Sequence, residues 1–170
     1  VANHFYQQGH NIIVNDILDS NYISYLTFFG QDTVDDDKIR NILDRMNNVE
    51  VQKNYVSDNY GDKYFSKENA MKIGEARSII EGEIGLSQRE RAILMTSLIY
   101  AMDKVANTVG HYDAYRRVMD SLTPIYFRMP AYNKERKADT SIYHEDANLL
   151  VRSIMADLIY IDTPYNSRQY

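Results

Sequence analysis

Two features that define whole classes of protein are missing from this chain. There is no cysteine in its 170 residues, which excludes a disulfide scaffold and any metal site built from thiolates. There is also no N-terminal signal pattern and no long apolar run, so no membrane association is expected. A hydrophobic content of 44% is enough for one packed core. The sequence therefore predicts a soluble, cytoplasmic protein.

The chain also has little positive charge. Its formal net charge of -5 gives no general attraction to nucleic acid, so any such binding requires a local basic surface. Residues 1–50 contain three cations against eight acids, whereas residues 104–137 contain seven cations against three acids. The second segment is thus the place to expect phosphate contacts, although a solvated run of charges is the more common outcome. The cations singled out there are Arg116, Arg117, Arg128, Lys134, Arg136 and Lys137.

The most informative stretch lies near the C-terminus. The apolar run Leu158 to Ile161, preceded by Asp157, predicts a buried parallel strand that ends at Asp162-Thr163-Pro164-Tyr165. Ligands of open α/β sheets bind at the carboxyl ends of strands. The alternative is an ordinary turn after a strand, because Asp and Pro are common turn residues.

The tetrad resembles the Asp-Pro-Pro-Tyr motif of S-adenosylmethionine-dependent methyltransferases that act on amines. With the residues that follow it, Asn-Ser-Arg-Gln-Tyr, it is most similar to the adenine-specific (N6) DNA methyltransferases. Segments 64–70 and 106–115 also resemble parts of that family. Thr163 stands where the family usually has proline, which puts only the stiffness of the turn in doubt. The resemblance implies an α/β fold, a partial Rossmann-like methyltransferase fold with a largely helical insertion.

The chemistry of methyl transfer explains the residue types of this motif. An exocyclic adenine amine is a poor nucleophile, because its lone pair is delocalised into the ring. The Asp162 carboxylate would accept one amine hydrogen and the backbone carbonyl of Thr163 the other, which directs the lone pair at the methyl donor. Pro164 would shape the turn, and Tyr165 would stack on the base.

Two further acids follow predicted strands. Asp16 ends the strand Asn11–Asp16, and an acid at this place commonly binds ribose hydroxyls; as an N-cap of the next helix, Ile17–Phe29, it is equally well explained. Asp146, with Glu145 beside it, follows the strand Ser141–His144 and precedes a predicted helix, Ala147 to Met155. The resemblance implies that Asp146 contacts the adenine ring of the cofactor.

The resemblance also exposes an absence. The glycine-rich Phe-x-Gly-x-Gly loop that holds the methionine part of S-adenosylmethionine does not occur, so the chain is expected to be a fragment that binds this cofactor weakly. Residues 1–30 and 141–170 are expected to belong to the catalytic domain, and residues 31–140 to form a mostly helical insertion that is a candidate DNA-contacting region.

Within the insertion, three helix starts are predicted. Asp35 to Asp37 form an acid-rich first turn rather than a metal site, Ser66 caps a helix to about Ile80, and Ser87 with Glu90 forms a capping box. No metal site is expected. The tyrosine-rich segment 47–66 either stacks on bases or is an ordinary surface loop.

Together these features predict a site-specific DNA adenine N6-methyltransferase of a restriction-modification system. Its partners would be S-adenosylmethionine, double-stranded DNA with the target adenine flipped out, and a cognate restriction endonuclease. An RNA or protein amine methyltransferase is one alternative, and an inactive remnant or partner subunit is another.

Overall fold

The computed structural model describes residues 1–110 and 112–162. Short helices flank a small sheet, and longer helices form a separate hydrophobic core. In chain order the elements are α1 (Ala2–Gln7), β1 (Ile12–Asn15), α2 (Asp19–Phe29), α3 (Asp36–Asn47), α4 (Tyr55–Tyr60), α5 (Lys67–Gly82), α6 (Gln88–Val105), β2 (Thr140–Tyr143) and α7 (Ala147–Leu150).

The sheet is a parallel pair of strands, with Ile12 opposite Thr140 and Asn15 opposite Tyr143. Alternation along β1 buries Ile12 and Val14, which pack with Tyr6 and Phe29 from the flanking helices. Gly9, at a φ of +86°, ends α1 and turns the chain into β1. The predicted strands 11–16 and 141–144 and the predicted helix 17–29 are confirmed within one or two residues.

The helical core is formed by one face each of α3, α5 and α6. The predicted apolar face of α3 (Ile39, Ile42, Leu43 and Met46) is buried within it. The predicted helix starts are confirmed as well: Asp35 caps α3, Ser66 caps α5, and Ser87 forms the capping box of α6 with Glu90. Residues 36–105 are therefore mainly helical.

Two polar contacts join α2 of the sheet region to α6 of the helical core. The hydroxyls of Thr27 and Thr96 are fully buried and lie 2.8 Å apart. Arg89, almost completely buried at the start of α6, donates to the backbone carbonyls of Thr27 (3.4 Å) and Asn133 (2.6 Å). Because these donors and acceptors cannot reach water, separating the two helices would leave them unsatisfied.

Residues 106–110 and 112–139 form no regular helix or strand, yet part of this segment is well anchored. Ile125 and Phe127 are buried, and each donates its backbone N–H to an asparagine carbonyl, Asn69 and Asn47 respectively, at 2.9 Å. In return, Asn69 Nδ2 donates to the backbone carbonyl of Thr123, and Asn47 Nδ2 donates to that of Phe127. An amide side chain supplies one acceptor and two donors, so these asparagines satisfy the backbone as a neighbouring strand would.

Three sequence predictions about secondary structure are wrong. The helix predicted to reach Met155 ends at Leu150. The predicted loop 47–66 contains α4, which begins at an Asn54–Ser57 capping box. The strand predicted over Asp157–Ile161 is absent, and its four apolar side chains are 57–76% exposed. An apolar run indicates burial but cannot form a strand without a hydrogen-bonded neighbour, and β1 and β2 pair with each other instead.

Replacing Gly74 by alanine is expected to destabilise the fold. A Cβ at this position would lie 2.3 Å from Asn54 Oδ1, the oxygen that accepts the backbone N–H groups of Val56 and Ser57 at the start of α4. Gly74→Ala should therefore lower the free energy of unfolding by about 1–3 kcal/mol in chemical denaturation. Gly82→Ala is the matched control, because nothing lies within 4 Å of its Cβ. Equal stability of the two variants would contradict this account of how α4 is held.

The Glu90 carboxylate makes the free energy of unfolding depend on pH in the acidic range. Its burial opposes ionisation, but hydrogen bonds from Lys38 Nζ and from the backbones of Ser87 and Asp35 outweigh this and hold its pKa below the usual value. Since the folded pKa is lowered, the stabilisation is present above the unfolded pKa of about 4.3 and is lost as the pH falls through the folded pKa.

Glu90→Gln should therefore cost roughly 1–3 kcal/mol at neutral pH and make stability less dependent on pH below about pH 4. The measurement is urea denaturation across this pH range. Glu81→Gln removes an exposed pair with Arg77 and should cost under about 0.5 kcal/mol. A Glu90→Gln variant that loses stability in acid as steeply as the original chain would contradict the assignment.

Candidate functional site

The carboxyl ends of β1 and β2 are fastened together by one side chain. Asn15, the last residue of β1, donates from Nδ2 to the carbonyl of Glu145 at 3.0 Å, and its Oδ1 accepts the Glu145 backbone N–H at 3.0 Å. This reciprocal pair continues the parallel pairing beyond the strands. Asp16 directly follows Asn15, and Asp146 directly follows Glu145. Both acids are therefore held at the carboxyl edge, which is the edge of the sheet where β1 and β2 end. Ligands of open parallel sheets bind at this edge.

Asp16 closes the turn between β1 and α2. Its Oδ1 accepts the backbone N–H of Leu18 at 2.9 Å, and its Oδ2 accepts Asn21 Nδ2 at 2.8 Å. The N-cap position of α2 is occupied by Leu18, so the prediction that Asp16 is the N-cap is wrong in position. Each carboxylate oxygen can accept more than one hydrogen bond, so both oxygens of Asp16 keep the capacity to accept from a further donor.

Asp146 is the N-cap of α7, and its Oδ1 accepts the backbone N–H of Asn148 at 2.7 Å. Its side chain and that of the neighbouring Glu145 are exposed at the carboxyl edge. Both candidate cofactor acids therefore have a local role in the backbone and remain accessible to a ligand. The two roles are compatible, because an ionised carboxylate accepts several hydrogen bonds.

The pKa of Tyr25, a residue of α2, is affected by both Asp16 and the predicted catalytic acid Asp162. Partial burial raises the pKa of its hydroxyl, and the negative charges of Asp16 and Asp162 raise that pKa further. The Tyr25 hydroxyl is thus influenced by the charges of both Asp16 and Asp162. The other three predicted catalytic residues, Thr163, Pro164 and Tyr165, lie outside the described residues.

An aromatic pair beside this edge was missed by the sequence analysis. The rings of Tyr22 and His144 are stacked, with centroids 4.8 Å apart and an angle of 11° between planes. His144 Nε2 lies 3.0 Å from the carbonyl of Ile17; because a carbonyl only accepts, this nitrogen carries the proton. The only sequence signal was a histidine directly after a strand, and the stack itself depends on pairing α2 with β2.

The predicted DNA-contacting cations do not form one continuous basic surface. Four of the six are paired with acids: Arg116 with Asp120, Lys134 with Asp36, Arg136 with Asp139, and Lys137 with Glu135. Arg128 lies over the ring of Tyr126, and Arg117 is exposed with no ion pair to any described residue. Exposed pairs of this kind are weak and can be exchanged for a phosphate, so DNA contact by these residues stays a prediction.

The clearest cavity measures about 400 Å³ and lies between the sheet region and the helical core. Its charged lining is mixed in sign: Asp32, Asp36, Arg89, Lys134, Glu135 and Arg136. Within it, burial and a hydrogen bond to Asp36 raise the pKa of Tyr132 to about 12. With three acids and three bases in its lining, this cavity has no charge preference for a ligand.

No cluster of three or more histidine, aspartate or glutamate side chains able to hold a metal ion occurs within residues 1–110 and 112–162. Over the same residues, no helix has the length and apolar character needed to cross a membrane.

Comparison with known proteins adds the identity that the geometry alone does not provide. Among curated proteins, the chain is 41% identical over 115 residues to "Modification methylase StsI" of Streptococcus sanguinis, covering 63% of this chain and 17% of that protein. It is 34% identical over 113 residues to "Type II methyltransferase M.NlaIII" of Neisseria lactamica, covering 64% and 34%. It is 30% identical over 158 residues to "Type II methyltransferase M.CviAII" of Paramecium bursaria Chlorella virus 1, covering 86% and 48%.

The matched region thus amounts to less than half of the length of each of these relatives. No solved structure matches the chain significantly. The sequence model of one family, described as D12 class N6 adenine-specific DNA methyltransferase, matches residues 1–170. The resemblance seen in the Asp-Thr-Pro-Tyr segment is confirmed by this match, and the chain belongs to the D12 class of N6 adenine-specific DNA methyltransferases.

Proposed function

We propose that the protein transfers a methyl group from S-adenosylmethionine to the exocyclic N6 amine of adenine in double-stranded DNA, within a restriction-modification system. The observation that carries the proposal is the parallel pairing of β1 with β2, which holds Asp16 and Asp146 together at one edge of the sheet, in a chain of this family. Two acids at one edge suit two ends of one nucleoside cofactor, which supports the activity.

The fold proposed for the whole protein is a Rossmann-like methyltransferase domain. The parallel pairing of β1 and β2, with α2 packed beside them, is consistent with part of such a sheet. Residues 1–30 and 141–170 would belong to this domain and residues 31–140 to its insertion. The separation of the hydrophobic clusters supports this division, because the smaller one contains residues from both ends of the chain.

The residues at the edge fit the proposed cofactor. Asp16 would accept hydrogen bonds from the ribose hydroxyls, and Asp146 would contact the adenine end of the cofactor. When bound, S-adenosylmethionine supplies an electrophilic methyl group. Because both acids are already oriented by backbone N–H donors, little side-chain entropy is lost on binding.

Asp162 would prepare the substrate amine. Its carboxylate would accept one N6 hydrogen, and the carbonyl of Thr163 would accept the other, so that the nitrogen lone pair points away from the purine plane. Pro164 would fix the turn and Tyr165 would stack on the flipped adenine. Flipping is required, because the amine is otherwise paired and stacked within the duplex.

Two other functions use the same residues. A methyltransferase for amines in RNA or protein would be expected to have Asn in place of Asp162. An inactive remnant or partner subunit would keep the cofactor acids without turnover. The family match favours the DNA enzyme, and the names "Modification methylase" and "Type II methyltransferase" given to relatives favour a role beside a cognate restriction endonuclease.

Asp16→Asn tests the cofactor assignment. The amide keeps an acceptor for the Leu18 N–H but loses the charge, so the turn should survive while S-adenosylmethionine affinity falls by about 1–3 kcal/mol. Calorimetry on the complete protein measures the affinity, and thermal denaturation checks the fold. Asp44→Asn, on α3 and outside the site, is the control. An unchanged affinity in Asp16→Asn would refute a ribose contact.

Asp162→Ala tests the proposed chemistry. This variant should lose methyl transfer while keeping cofactor binding, because the lost interaction acts chiefly in the transition state. Asp162→Asn keeps a carbonyl acceptor and should retain partial activity. The measurement is transfer of labelled methyl to duplex DNA, with N6-methyladenine identified after digestion. Full activity in Asp162→Ala, or label on cytosine, would refute the assignment.

A further inference from the structure

Five tyrosines form a continuous aromatic surface on the insertion, well apart in sequence from the carboxyl edge. We call the rings of Tyr55, Tyr60, Tyr64, Tyr112 and Tyr115 the tyrosine surface. Tyr64 is central, with ring centroids 6.1 Å from Tyr60, 6.2 Å from Tyr112 and 5.1 Å from Tyr115. Tyr55 extends the series beyond Tyr60 at 6.4 Å.

These rings remain accessible although large apolar surfaces are normally covered. Tyr55 is 71% exposed, and Tyr60, Tyr112 and Tyr115 are 40–46% exposed. Single exposed aromatic side chains are ordinary, but a contiguous group of them indicates a binding surface.

The two chain segments that carry the rings are held together by Asn107. This side chain is almost fully buried, and its Nδ2 donates at 3.0 Å to the carbonyls of Lys63 and Arg116. Its backbone N–H donates to the carbonyl of Tyr64 at 2.7 Å. The loop after α6 is thereby attached to the turn after α4, so the spacing of the rings is set before any ligand binds.

Two of the rings, those of Tyr64 and Tyr112, are also held by their hydroxyl groups. The Tyr64 hydroxyl donates to the carbonyl of Tyr112 at 3.2 Å. The Tyr112 hydroxyl donates to Asp103 Oδ1 at 2.9 Å, and burial together with this bond raises the pKa of Tyr112 above its usual value. Rings held in this way lose little freedom when a flat partner stacks on them.

The chain segments that carry the tyrosine surface contain charges of both signs. Lys104 and Arg117 are exposed and have no ion pair to any described residue, whereas Asp120 and Asp58 are paired with Arg116 and Lys53. Because acids are interspersed, most of the affinity has to come from the rings. Unstacked nucleic-acid bases offer a flat face to tyrosine and carry phosphates for the cations.

We propose that the tyrosine surface binds DNA by stacking its rings on bases that are locally unstacked, with Lys104 and Arg117 reaching the adjacent phosphates. This inference rests on the proposed function, because it takes DNA as the partner. Binding by ring stacking differs in one measurable respect from binding by the cations of residues 104–137. Stacking contributes a term that does not depend on salt, whereas phosphate contacts set the slope of log K against log salt concentration.

The test compares Tyr60→Leu/Tyr115→Leu with Tyr60→Phe/Tyr115→Phe in the complete protein. Binding of a labelled single-stranded oligonucleotide of mixed sequence, and of the matching duplex, is followed by anisotropy at several salt concentrations. Leucine keeps bulk but removes the aromatic face, so affinity should fall about 5- to 150-fold for each base that stacks. The loss should be the same at every salt concentration, and the phenylalanine variant should retain the original affinity.

Two controls complete the design. Tyr100→Leu removes an exposed tyrosine outside the series and should leave affinity unchanged. Arg117→Gln should instead reduce the salt slope, by about 0.7 for single strands and about 0.9 for duplex. Thermal denaturation confirms that each variant is folded.

Several results would overturn the proposal. They are an unchanged affinity in the leucine variant, an equal loss in the phenylalanine variant, or no binding of either DNA by the original protein. Altered sedimentation of the leucine variant with normal DNA binding would identify a protein–protein surface and would overturn it too. Methyl transfer at saturating DNA is scored separately, so a failure of the proposed activity is distinguishable from a failure of this surface.

Discussion

The parallel pairing of β1 with β2 is the constraint on which the rest of the structure depends. It joins residues 12–15 to residues 140–143, so everything between them must leave the sheet and return to it. The cost of closing such a long loop grows only slowly with its length, which allows a large helical insertion between adjacent strands. The same pairing determines the candidate site, because residues directly after paired parallel strands must share one edge.

Buried asparagines account for much of the order in the irregular half of the chain. In the extended segment around Ile125 and Phe127, the side chains of Asn69 and Asn47 accept from backbone N–H groups and donate to backbone carbonyls. Asn107 joins the turn at Lys63 to the loop at Arg116 through its Nδ2 group, which donates to both backbone carbonyls. An amide provides a donor and an acceptor on one rigid group, so it replaces the backbone of a missing neighbour. The loss of one such residue would expose several backbone groups at once, which is costlier than the loss of one hydrogen bond.

Local signals in the sequence predicted the elements whose physics is local. The capping box at Ser87 and the apolar spacing of α3 depend on residues within one or two turns, and both are confirmed. The strand expected over Asp157–Ile161 is wrong, since its existence depends on a partner rather than on its own residues. The Tyr22–His144 stack and the ring contacts of Tyr64 could not be foreseen for the same reason: they join residues 122 and 48–51 positions apart.

At the carboxyl edge, the two acids proposed to bind the cofactor also accept hydrogen bonds from the local backbone. Asp16 and Asp146 each accept a backbone N–H two residues later in the chain, at 2.9 Å and 2.7 Å. These bonds fix the orientation of each carboxylate before any ligand arrives. A freely rotating acid would lose rotamer entropy on binding, whereas these acids have already lost it in folding. Removing either acid would thus alter the turn as well as the site, and only a substitution that keeps the acceptor, such as asparagine, can separate the two contributions.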